Sequence, residues 1–269
     1  MLNFCEIVAN PKITKVYTTY YRIFDAQYRF KGETHDFWEL VCVVDGKITV
    51  AADEKVFEIE KGQGILHSPL QFHNITVMGN EPATVAVFTF SGENIPEIQN
   101  NVLKIDDIHE VKRLNNLAKE GFEIKNDIVI MNVKEQSSAY LEYAKRLELF
   151  LLRLAENCVH TASATPHKAK NYSSIVKAMN DNIDKRLTVG ELAMLCNMSK
   201  INLQKTFSHY AGVGVMEYFN RLKVQYATEL LRKGLSVKEA GLSVGFEDQN
   251  YFSTVFKRIS GHTPSTSKQ

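Results

Sequence analysis

The amino-acid sequence predicts an α+β protein in which a β-rich N-terminal half precedes an all-helical C-terminal part. Three observations support this prediction. Short β-branched and aromatic runs alternate with glycine-containing turns between residues 17 and 90, which is the pattern of many short strands in a sandwich or barrel. Beyond residue 170 the segments have helical periodicity. The small, polar stretch HTASATPHKAK (160–170) separates the two parts as an exposed linker would.

The composition is that of a globular chain, and it excludes several classes of protein. With 269 residues, 44% hydrophobic and 23% charged, the chain is long enough for two hydrophobic cores and shows no sign of disorder. It has no apolar run of signal-peptide or transmembrane length, so we expect a cytoplasmic protein without a membrane partner. The four cysteines lack Cys-x-x-Cys spacing, so neither a disulfide framework nor a thiolate zinc site is predicted.

The strands of the N-terminal half are expected in five runs, with a hairpin turn at Asp45-Gly46 as the strongest local signal. These runs are TKVYTTYYRIF, FWELVCVVDGKITVAA, KVFEIEKGQGILHS, HNITVMG and ATVAVFTFS. After Phe90 the pattern changes, and DDIHEVKRLNNLAKEG (106–121) predicts a short amphipathic helix.

The segment 135–158 predicts a longer helix with an apolar seam. Apolar residues recur there at alternating steps of four and three, at Tyr140, Ala144, Leu147, Leu151, Leu154 and Cys158. Leu141, Phe150 and Leu152 widen the apolar surface beyond this seam. A helix that is apolar on two sides can pack on its own domain and offer its other side to a second copy, which predicts a homodimer. The alternative is that one chain covers both sides.

Charge is unevenly distributed along the chain. Residues 171–269 contain 13 Lys and Arg against 8 Asp and Glu, whereas residues 1–170 contain 19 against 23. The positive excess of the C-terminal part favours an anionic partner.

The helical part contains an internal repeat. Leu187, Val189 and Glu191 are matched 48 residues later, and after a slip of one residue the second helix of each copy also matches. Each copy predicts a helix, a short turn and a second helix closed by glycine, as in LTVGELAMLCNMSKINLQKTFSHYAG and LSVKEAGLSVGFEDQNYFSTVFKRISG. Ser199 and Asp248 are the predicted N-caps of the two second helices.

The second helix of each copy has a polar face opposite its aromatic anchors. With Leu203 and Phe207 facing one core and Phe252 and Phe256 the other, amides, hydroxyls and lysines lie outward. Such side chains read base edges in the major groove or contact phosphates. The predicted DNA-binding residues are Lys200, Ile201, Gln204, Lys205, Gln249, Asn250, Ser253, Thr254 and Lys257.

The last hundred residues resemble the DNA-binding domain of the AraC/XylS family of bacterial transcription regulators. The motifs that carry the resemblance are Gly245-Phe246, Tyr251-Phe252, Phe256-Lys257, Gly261 and Thr263-Pro264, together with Glu191-Leu192-Ala193, Ser199, Leu203, Phe207, Gly212, Arg221-Leu222, Ala227 and Leu230-Leu231. The resemblance implies two helix-turn-helix units joined by one helix, with both recognition helices entering successive major grooves. Thr254 departs from the arginine that is common in relatives.

The N-terminal domain resembles the cupin-type sensor of the same family, through HDFWE (35–39), Gly46, GQG (62–64) and PLQFH (69–73). The resemblance implies a β-barrel that binds a small molecule, and the predicted ligand-binding residues are Tyr21, His35, Trp38, Glu39 and His73. Metal-binding cupins need converging His and Glu side chains, and here Phe37 replaces the second His of the usual His-x-His. We therefore predict no metal and no other cofactor.

Together these observations predict a cupin-like ligand-sensing domain (1–105), a helical dimerisation segment (106–159), a linker (160–170) and a DNA-binding domain (171–269). The predicted function is a dimeric, sequence-specific transcription regulator that responds to a small molecule, with carbohydrate as one candidate and RNA polymerase as a further partner of an activator. We expect no enzymatic activity, because the chain shows no nucleophile triad, phosphate-binding loop or paired catalytic carboxylates. The alternatives are a cupin metalloenzyme with an accessory DNA-binding domain and a regulator that binds DNA without an effector.

Overall fold

A computed structural model describes residues 10–77, 79–126, 128–133, 138–158 and 169–268. Ten strands and eight α-helices are described in these ranges. The strands are β1 Lys12–Phe24, β2 Trp38–Asp45, β3 Lys47–Ala52, β4 Lys55–Glu60, β5 Gln63–His67, β6 His73–Val77, β7 Ala83–Glu93, β8 Leu103–Lys104, β9 Phe122–Lys125 and β10 Ile128–Val133. The helices are α1 Ile108–Gly121, α2 Ala139–Glu156, α3 Lys170–Asn180, α4 Val189–Leu195, α5 Lys200–Ala211, α6 Val215–Arg232, α7 Val237–Ser243 and α8 Gln249–Ser260.

The strands of the N-terminal half form two sheets with a common core. The larger sheet has the order β8-β5-β2-β7-β1-β10-β9 and the smaller has the order β4-β3-β6. Their facing sides bury a cluster of aliphatic residues that includes Val41, Val43, Ile48 and Val87. The turn predicted at Asp45-Gly46 joins β2 to β3, and Gly46 adopts a φ of 78°, which a side chain would strain. The predicted hairpin is wrong, because the turn passes from the larger sheet to the smaller one and β2 does not pair with β3.

Helices α1 and α2 cover the outer face of the larger sheet. The second core lies between these two helices and the sheet, and it includes Leu40, Phe88, Leu114 and Tyr143. The large sheet is therefore apolar on both faces, which explains the nearly continuous hydrophobic runs of β2 and β7. The helix predicted at 106–121 is confirmed as α1, with Asp107 as its N-cap.

Helix α2 uses its predicted seam to pack on its own domain. Leu147, Leu151 and Leu154 are buried in the core under the sheet, and Phe150 joins them. Leu141 and Leu149 remain about half exposed, at 52% and 47% of their accessible surface. The apolar surface left for a second copy is therefore a narrow stripe of leucines.

The C-terminal helices form two units that share α6. One core combines α3, α4 and α5 with the first half of α6, around Leu203, Phe207 and Tyr218. The other combines α7 and α8 with the second half of α6, around Ala240, Phe252 and Phe256. Gly241 lies against Phe252, where an added Cβ would be 3.0 Å from the ring. The predicted α+β fold class, with a cupin-like β-domain and an all-α double helix-turn-helix domain, is confirmed.

The first helical unit packs directly on the smaller sheet. Phe72 lies in the same core as α3, α5 and α6, and its ring meets Tyr218 edge-on at a centroid distance of 4.7 Å. The Tyr172 hydroxyl donates to the Asp53 carbonyl at 2.8 Å, and the Asn74 amide donates to the Tyr210 carbonyl. The β-rich half and the helical part thus share buried apolar contacts as well as hydrogen bonds.

Residues 160–168 of the predicted linker lie outside the described residues. The boundaries at 105, 159 and 170 remain predictions. Among the helices described, none combines the length and apolarity needed to cross a membrane.

Candidate functional site

Helix α5 is fixed at both ends by local chemistry. The Ser199 hydroxyl accepts from the Asn202 backbone N–H at 3.2 Å, and Gly212 ends the helix with a left-handed φ of 69°. Leu203 and Phe207 are fully buried. The predicted cap and both predicted anchors are confirmed, so the orientation of the helix about its axis is set by the core.

Helix α8 repeats this arrangement in the second unit. The Asp248 carboxylate accepts from the backbone N–H groups of Asn250 and Tyr251 at 2.7 and 2.8 Å. A carboxylate is also favoured at this end by the helix dipole. Phe252 and Phe256 are fully buried against α6 and α7, and Gly261 closes the helix with a φ of 81°.

Nearly all of the predicted DNA-binding side chains are exposed on the two helices. On α5 these are Lys200, Ile201, Gln204 and Lys205, and on α8 they are Gln249, Asn250, Thr254 and Lys257. Ile201 is 79% exposed, which is unusual for an isoleucine and leaves it free to meet a thymine methyl group. Ser253 is half-buried, and its hydroxyl donates to the Gln249 carbonyl at 2.9 Å. Thr254 likewise donates to the Asn250 carbonyl at 2.9 Å.

A buried lysine joins the two units. The Lys223 ammonium on α6 donates to the carbonyls of Ile183 and Lys185, at 2.6 and 2.9 Å, in the segment between α3 and α4. It also donates to the Val244 carbonyl at the end of α7. Burial lowers the pKa of Lys223 to about 8, and the charge of Asp184 opposes this shift. One cation thus connects the first unit to the second.

A cavity of about 890 Å³ opens between the two units, close to Lys223. It is bordered by the start of α5 at Lys200 and the start of α8 at Tyr251, with Arg186 and Asn220 between them. Tyr251 is 58% exposed. The sequence patterns predicted no role in binding for these cavity-lining residues, because Arg186, Asn220 and Tyr251 do not lie on the repeated polar face of a recognition helix.

In the N-terminal domain, three predicted ligand residues meet at one end of the barrel. The Nε2 atom of His73 lies 3.3 Å from Glu39 Oε1, and Nε2 of His35 lies 3.6 Å from Glu39 Oε2. His67 stacks on His73 at a centroid distance of 4.3 Å. Glu33 completes the cluster, since one ligand atom from each of Glu33, His35, Glu39 and His73 lies within 4.8 Å of the others. Phe37 still occupies the position of the missing histidine, but Glu33, which the sequence analysis did not single out, brings a fourth donor side chain to the cluster.

The other two predicted ligand residues, Tyr21 and Trp38, do not belong to this cluster. Both pack against the core between the large sheet and the helices. Adjacent residues on a strand face opposite sides, so Trp38 points away from the side that Glu39 occupies. A single pocket lined by all five predicted residues does not fit the structure.

The electrostatics of the cluster follow from burial and mutual contact. Burial disfavours charge on Glu39 and His73 alike, yet the pKa of Glu39 is held well below its usual value and that of His73 above it, because each stabilises the charged form of the other. Burial lowers the pKa of His67 to about 3, so His67 is neutral. Burial and the nearby Glu39 charge raise the pKa of Glu33.

The cluster adjoins a cleft of about 470 Å³ between the β-domain and the helical part. Thr34, His35 and Leu70 line one wall, and α6 and the C-terminal end of α8 line the other, with Arg221 and Arg232 on α6. The volume lies within the usual range of small-molecule sites. A molecule in this cleft would touch both the β-domain and the helix that joins the two recognition units.

Comparison with protein families agrees with this architecture. A model of an AraC-like ligand binding domain matches residues 16–140, and a model of a helix-turn-helix domain matches residues 192–269. The chain belongs to the AraC/XylS family of transcriptional regulators. The predicted recognition of this family from the Gly-Phe, Tyr-Phe and Thr-Pro motifs is confirmed.

Individual relatives in this family differ in how much of the chain they match. The MmsAB operon regulatory protein of Pseudomonas aeruginosa is 34% identical over 92 residues, covering 34% of this chain and 30% of that protein. The HTH-type transcriptional activator RhaR of Pectobacterium atrosepticum is 23% identical over 240 residues, covering 87% and 84%. The alignments with the first curated relatives cover 30% to 57% of those proteins.

Among solved structures, ToxT from Vibrio cholerae is 17% identical to this chain. The match covers 94% of this chain and 97% of that chain with a TM-score of 0.38.

Proposed function

We propose that this regulator binds double-stranded promoter DNA sequence-specifically by placing α5 and α8 in successive major grooves. The observation that carries the proposal is the matched presentation of the two helices. Each buries two apolar anchors against α6 or its partner helix and exposes amide, hydroxyl and lysine side chains on the opposite face. Because amides pair with adenine and lysine reaches guanine or phosphate, these faces suit readout of base edges.

The two helices have different expected shares in the readout. In α5, Gln204 and Lys205 project from the exposed face next to Ile201. In α8, Gln249 and Asn250 occupy the first turn, where a recognition helix approaches the bases. We expect the exposed Lys200 and Lys257 to contact phosphates, together with Tyr251 at the rim of the cavity between the units.

The direct test is a gel-shift titration of the full chain against the DNA upstream of its own coding region. We expect binding with a sequence preference that persists at moderate salt, since non-specific phosphate binding weakens steeply as salt rises. A Gln204→Ala, Asn250→Ala double variant should lose the preference, whereas Lys238→Ala on α7 serves as a surface control. Equal binding of specific and random duplexes by the wild type would contradict the proposal.

We further propose that a small polar molecule controls this activity from the cleft between the domains. The cleft is lined by hydroxyl, amide and charged groups, including Thr34, Gln225 and Thr228, so carbohydrate is one fitting class. A molecule there can shift the arrangement of the domains only through a difference in affinity between two arrangements. A thermal-shift screen of metabolites should find ligands that raise the melting temperature. A complete absence of such ligands would favour a regulator without an effector.

A homodimer formed through α2 is the third part of the proposal. Leu141, Leu149 and Leu152 form a stripe on the side of α2 away from the core. Sedimentation at micromolar concentration should show a dimer, and a Leu141→Glu, Leu149→Glu double variant should be monomeric. Leu242→Glu changes an equally exposed leucine in the helical part and should leave the dimer intact. A monomeric wild type would exclude this part of the proposal.

If the regulator is an activator, RNA polymerase is its further partner.

A further inference from the structure

The cluster of acids and histidines beside the cleft has the chemistry of a metal site. We propose that the β-domain binds one divalent first-row transition-metal ion through Glu33, His35, Glu39 and His73. One ligand atom from each lies within 4.8 Å of the other three. A tetrahedral ion with bonds of 2.0–2.1 Å would hold its ligand atoms about 3.4 Å apart. His73 Nε2 lies 3.3 Å from Glu39 Oε1 and His35 Nε2 lies 3.6 Å from Glu39 Oε2, so each histidine is close to that spacing from one oxygen of the carboxylate.

Both histidine rings are oriented as metal ligands usually are. His35 Nδ1 lies 3.0 Å from the Phe37 carbonyl, and His73 Nδ1 lies 3.0 Å from the Gln71 carbonyl. Because a carbonyl only accepts, each Nδ1 carries the hydrogen and each Nε2 is directed toward the carboxylates. A hydrogen bond from the second ring nitrogen is the common support of a metal-bound histidine.

Both Nε2 atoms are buried and face Glu39 at ion-pair distances of 3.3 and 3.6 Å, but neither makes a hydrogen bond of normal geometry among the described residues. The His73 side chain is 1% exposed and the His35 side chain 12%. A buried polar atom without a partner is costly unless something else satisfies it. An ion between the rings and the carboxylates would displace any proton on Nε2 and bind the lone pair of each ring, which satisfies both atoms.

The backbone holds three of the four ligand residues in place without the ion. Glu33 and His73 form an isolated antiparallel bridge, with N–H to O distances of 2.9 and 3.1 Å in the two directions. Glu39 lies in β2, paired with β5 on one side and β7 on the other. Two carboxylates held this close repel each other, and a cation between them removes that repulsion.

The ligand set also narrows the identity of the ion. Two imidazoles and two carboxylates suit Zn²⁺, Fe²⁺, Mn²⁺ and similar ions. Mg²⁺ and Ca²⁺ prefer oxygen ligands and retain water, so a site with two imidazole nitrogens disfavours them. Thiolate-seeking ions such as Cu⁺ find no sulfur among the four ligands.

An ion at this position would act on the helix that joins the recognition units, and this step rests on the proposed function. Arg221 of α6 interacts electrostatically with Glu33 and lines the same cleft as His35. Its guanidinium lies 5.9 Å from the centre of the Phe72 ring, which belongs to the shared core of the two domains. Drawing Glu33 onto an ion would weaken its attraction to Arg221 and alter the contact between the domains.

The test is a titration of the metal-free full chain with Zn²⁺, in which calorimetry measures the heat of binding. A parallel titration with Co²⁺ measures the visible absorption of the bound ion. We expect one ion per chain. Glu33→Gln and His35→Gln should each weaken Zn²⁺ binding by at least about 10-fold. Loss of a residue that only supports a metal ligand already weakens binding by about 10-fold or more, and loss of a ligand should cost no less. His109→Gln removes an exposed histidine of α1 and should bind as the wild type does. Circular dichroism identifies any variant that fails to fold.

Absence of stoichiometric Zn²⁺ binding by the wild type would overturn the proposal, as would equal binding by the folded Glu33→Gln and wild-type proteins. A gel shift with and without Zn²⁺ tests the second step separately. Bound Zn²⁺ with unchanged DNA affinity would exclude the coupling through Arg221. Bound Zn²⁺ with no DNA binding under any condition would refute the proposed function and leave the metal site standing.

Discussion

Replacing Lys223 with methionine should uncouple the two recognition units. The side chain is 4% exposed, and its ammonium donates to three backbone carbonyls, of Ile183, Lys185 and Val244. It also lies 4.7 Å from the centre of the Phe219 ring. Methionine has a similar length and fills the same space, so the substitution removes the donor while nearly keeping the packing.

The expected magnitude follows from the three carbonyls. A buried carbonyl left without a donor costs about 1–3 kcal/mol, which applies in full to Val244. The bonds to Ile183 and Lys185 are only partly buried, so water can replace the lost donor and the cost there is smaller. Removing the burial of a charge offsets part of that loss, and the three contributions are not additive. We expect the free energy of unfolding to fall by about 2–4 kcal/mol in Lys223→Met.

The assay combines stability with DNA binding. Urea unfolding followed by circular dichroism measures the loss of stability, with Lys238→Met as an exposed lysine control on α7. Binding is then compared on duplexes that carry both recognition sites or one of them. Lys223→Met should lose more affinity for the two-site duplex, because α5 and α8 are no longer held in one geometry. Equal stability of the two variants, within about 0.5 kcal/mol, would refute the reasoning.

Three further predictions concern α8, its N-cap and Lys223 of α6. Asn250→Ala should weaken binding to the promoter DNA by about 1–3 kcal/mol. Thr254→Ala should weaken it by less, because the Thr254 hydroxyl already donates a hydrogen bond within α8. Equal losses of affinity for the two variants in a gel shift would contradict this prediction. Asp248→Ala should lower the free energy of unfolding, measured by urea unfolding, by about 1 kcal/mol, because it removes the N-cap of α8. Asp248→Ser should retain most of the wild-type stability, because a serine hydroxyl can also cap the helix. Because the pKa of Lys223 is about 8 in the fold and higher in the unfolded chain, the unfolded state binds more protons above pH 8. The free energy of unfolding of the wild type, minus that of Lys223→Met, should therefore increase as the pH rises from about 8 to about 10. A difference that stays constant over this pH range would exclude the lowered pKa of Lys223.

The recognition helices were largely predictable from sequence because their determinants are local. The caps Ser199 and Asp248 act on backbone groups two or three residues away. The buried anchors Phe207 and Phe252 repeat with helical spacing in both units. A repeat also tests each assignment twice, since the same polar face must be exposed in both copies.

The sequence predicted His35, Glu39 and His73 of the buried cluster, but the places of Glu33 and His67 depend on contacts that no local pattern encodes. Glu33 reaches the cluster through a backbone bridge to His73, which is 40 residues away in the chain. His67 comes next to Glu39 through the pairing of β2 with β5. The separation of Trp38 from Glu39, in contrast, follows from the alternation of side chains along one strand and is accessible from sequence.

Lys223 illustrates a second limit. On a helical projection it is one more lysine of a basic domain, and charged residues are mostly exposed. Its burial requires three carbonyls contributed by two separate turns, at 183–185 and at 244. Only the packing of both units against α6 brings those turns together.

The spacing dependence of DNA binding tests the central claim most directly. A bound duplex would first be selected from a random library with the full chain, and its two contacted sites mapped by footprinting. Inserting half a helical turn, about 5 base pairs, between the sites moves them to opposite faces of the duplex. Two rigidly held recognition helices predict that affinity falls to that of a single site, and that a full-turn change is less damaging than a half-turn change. Unchanged affinity after the half-turn insertion would contradict simultaneous binding by α5 and α8.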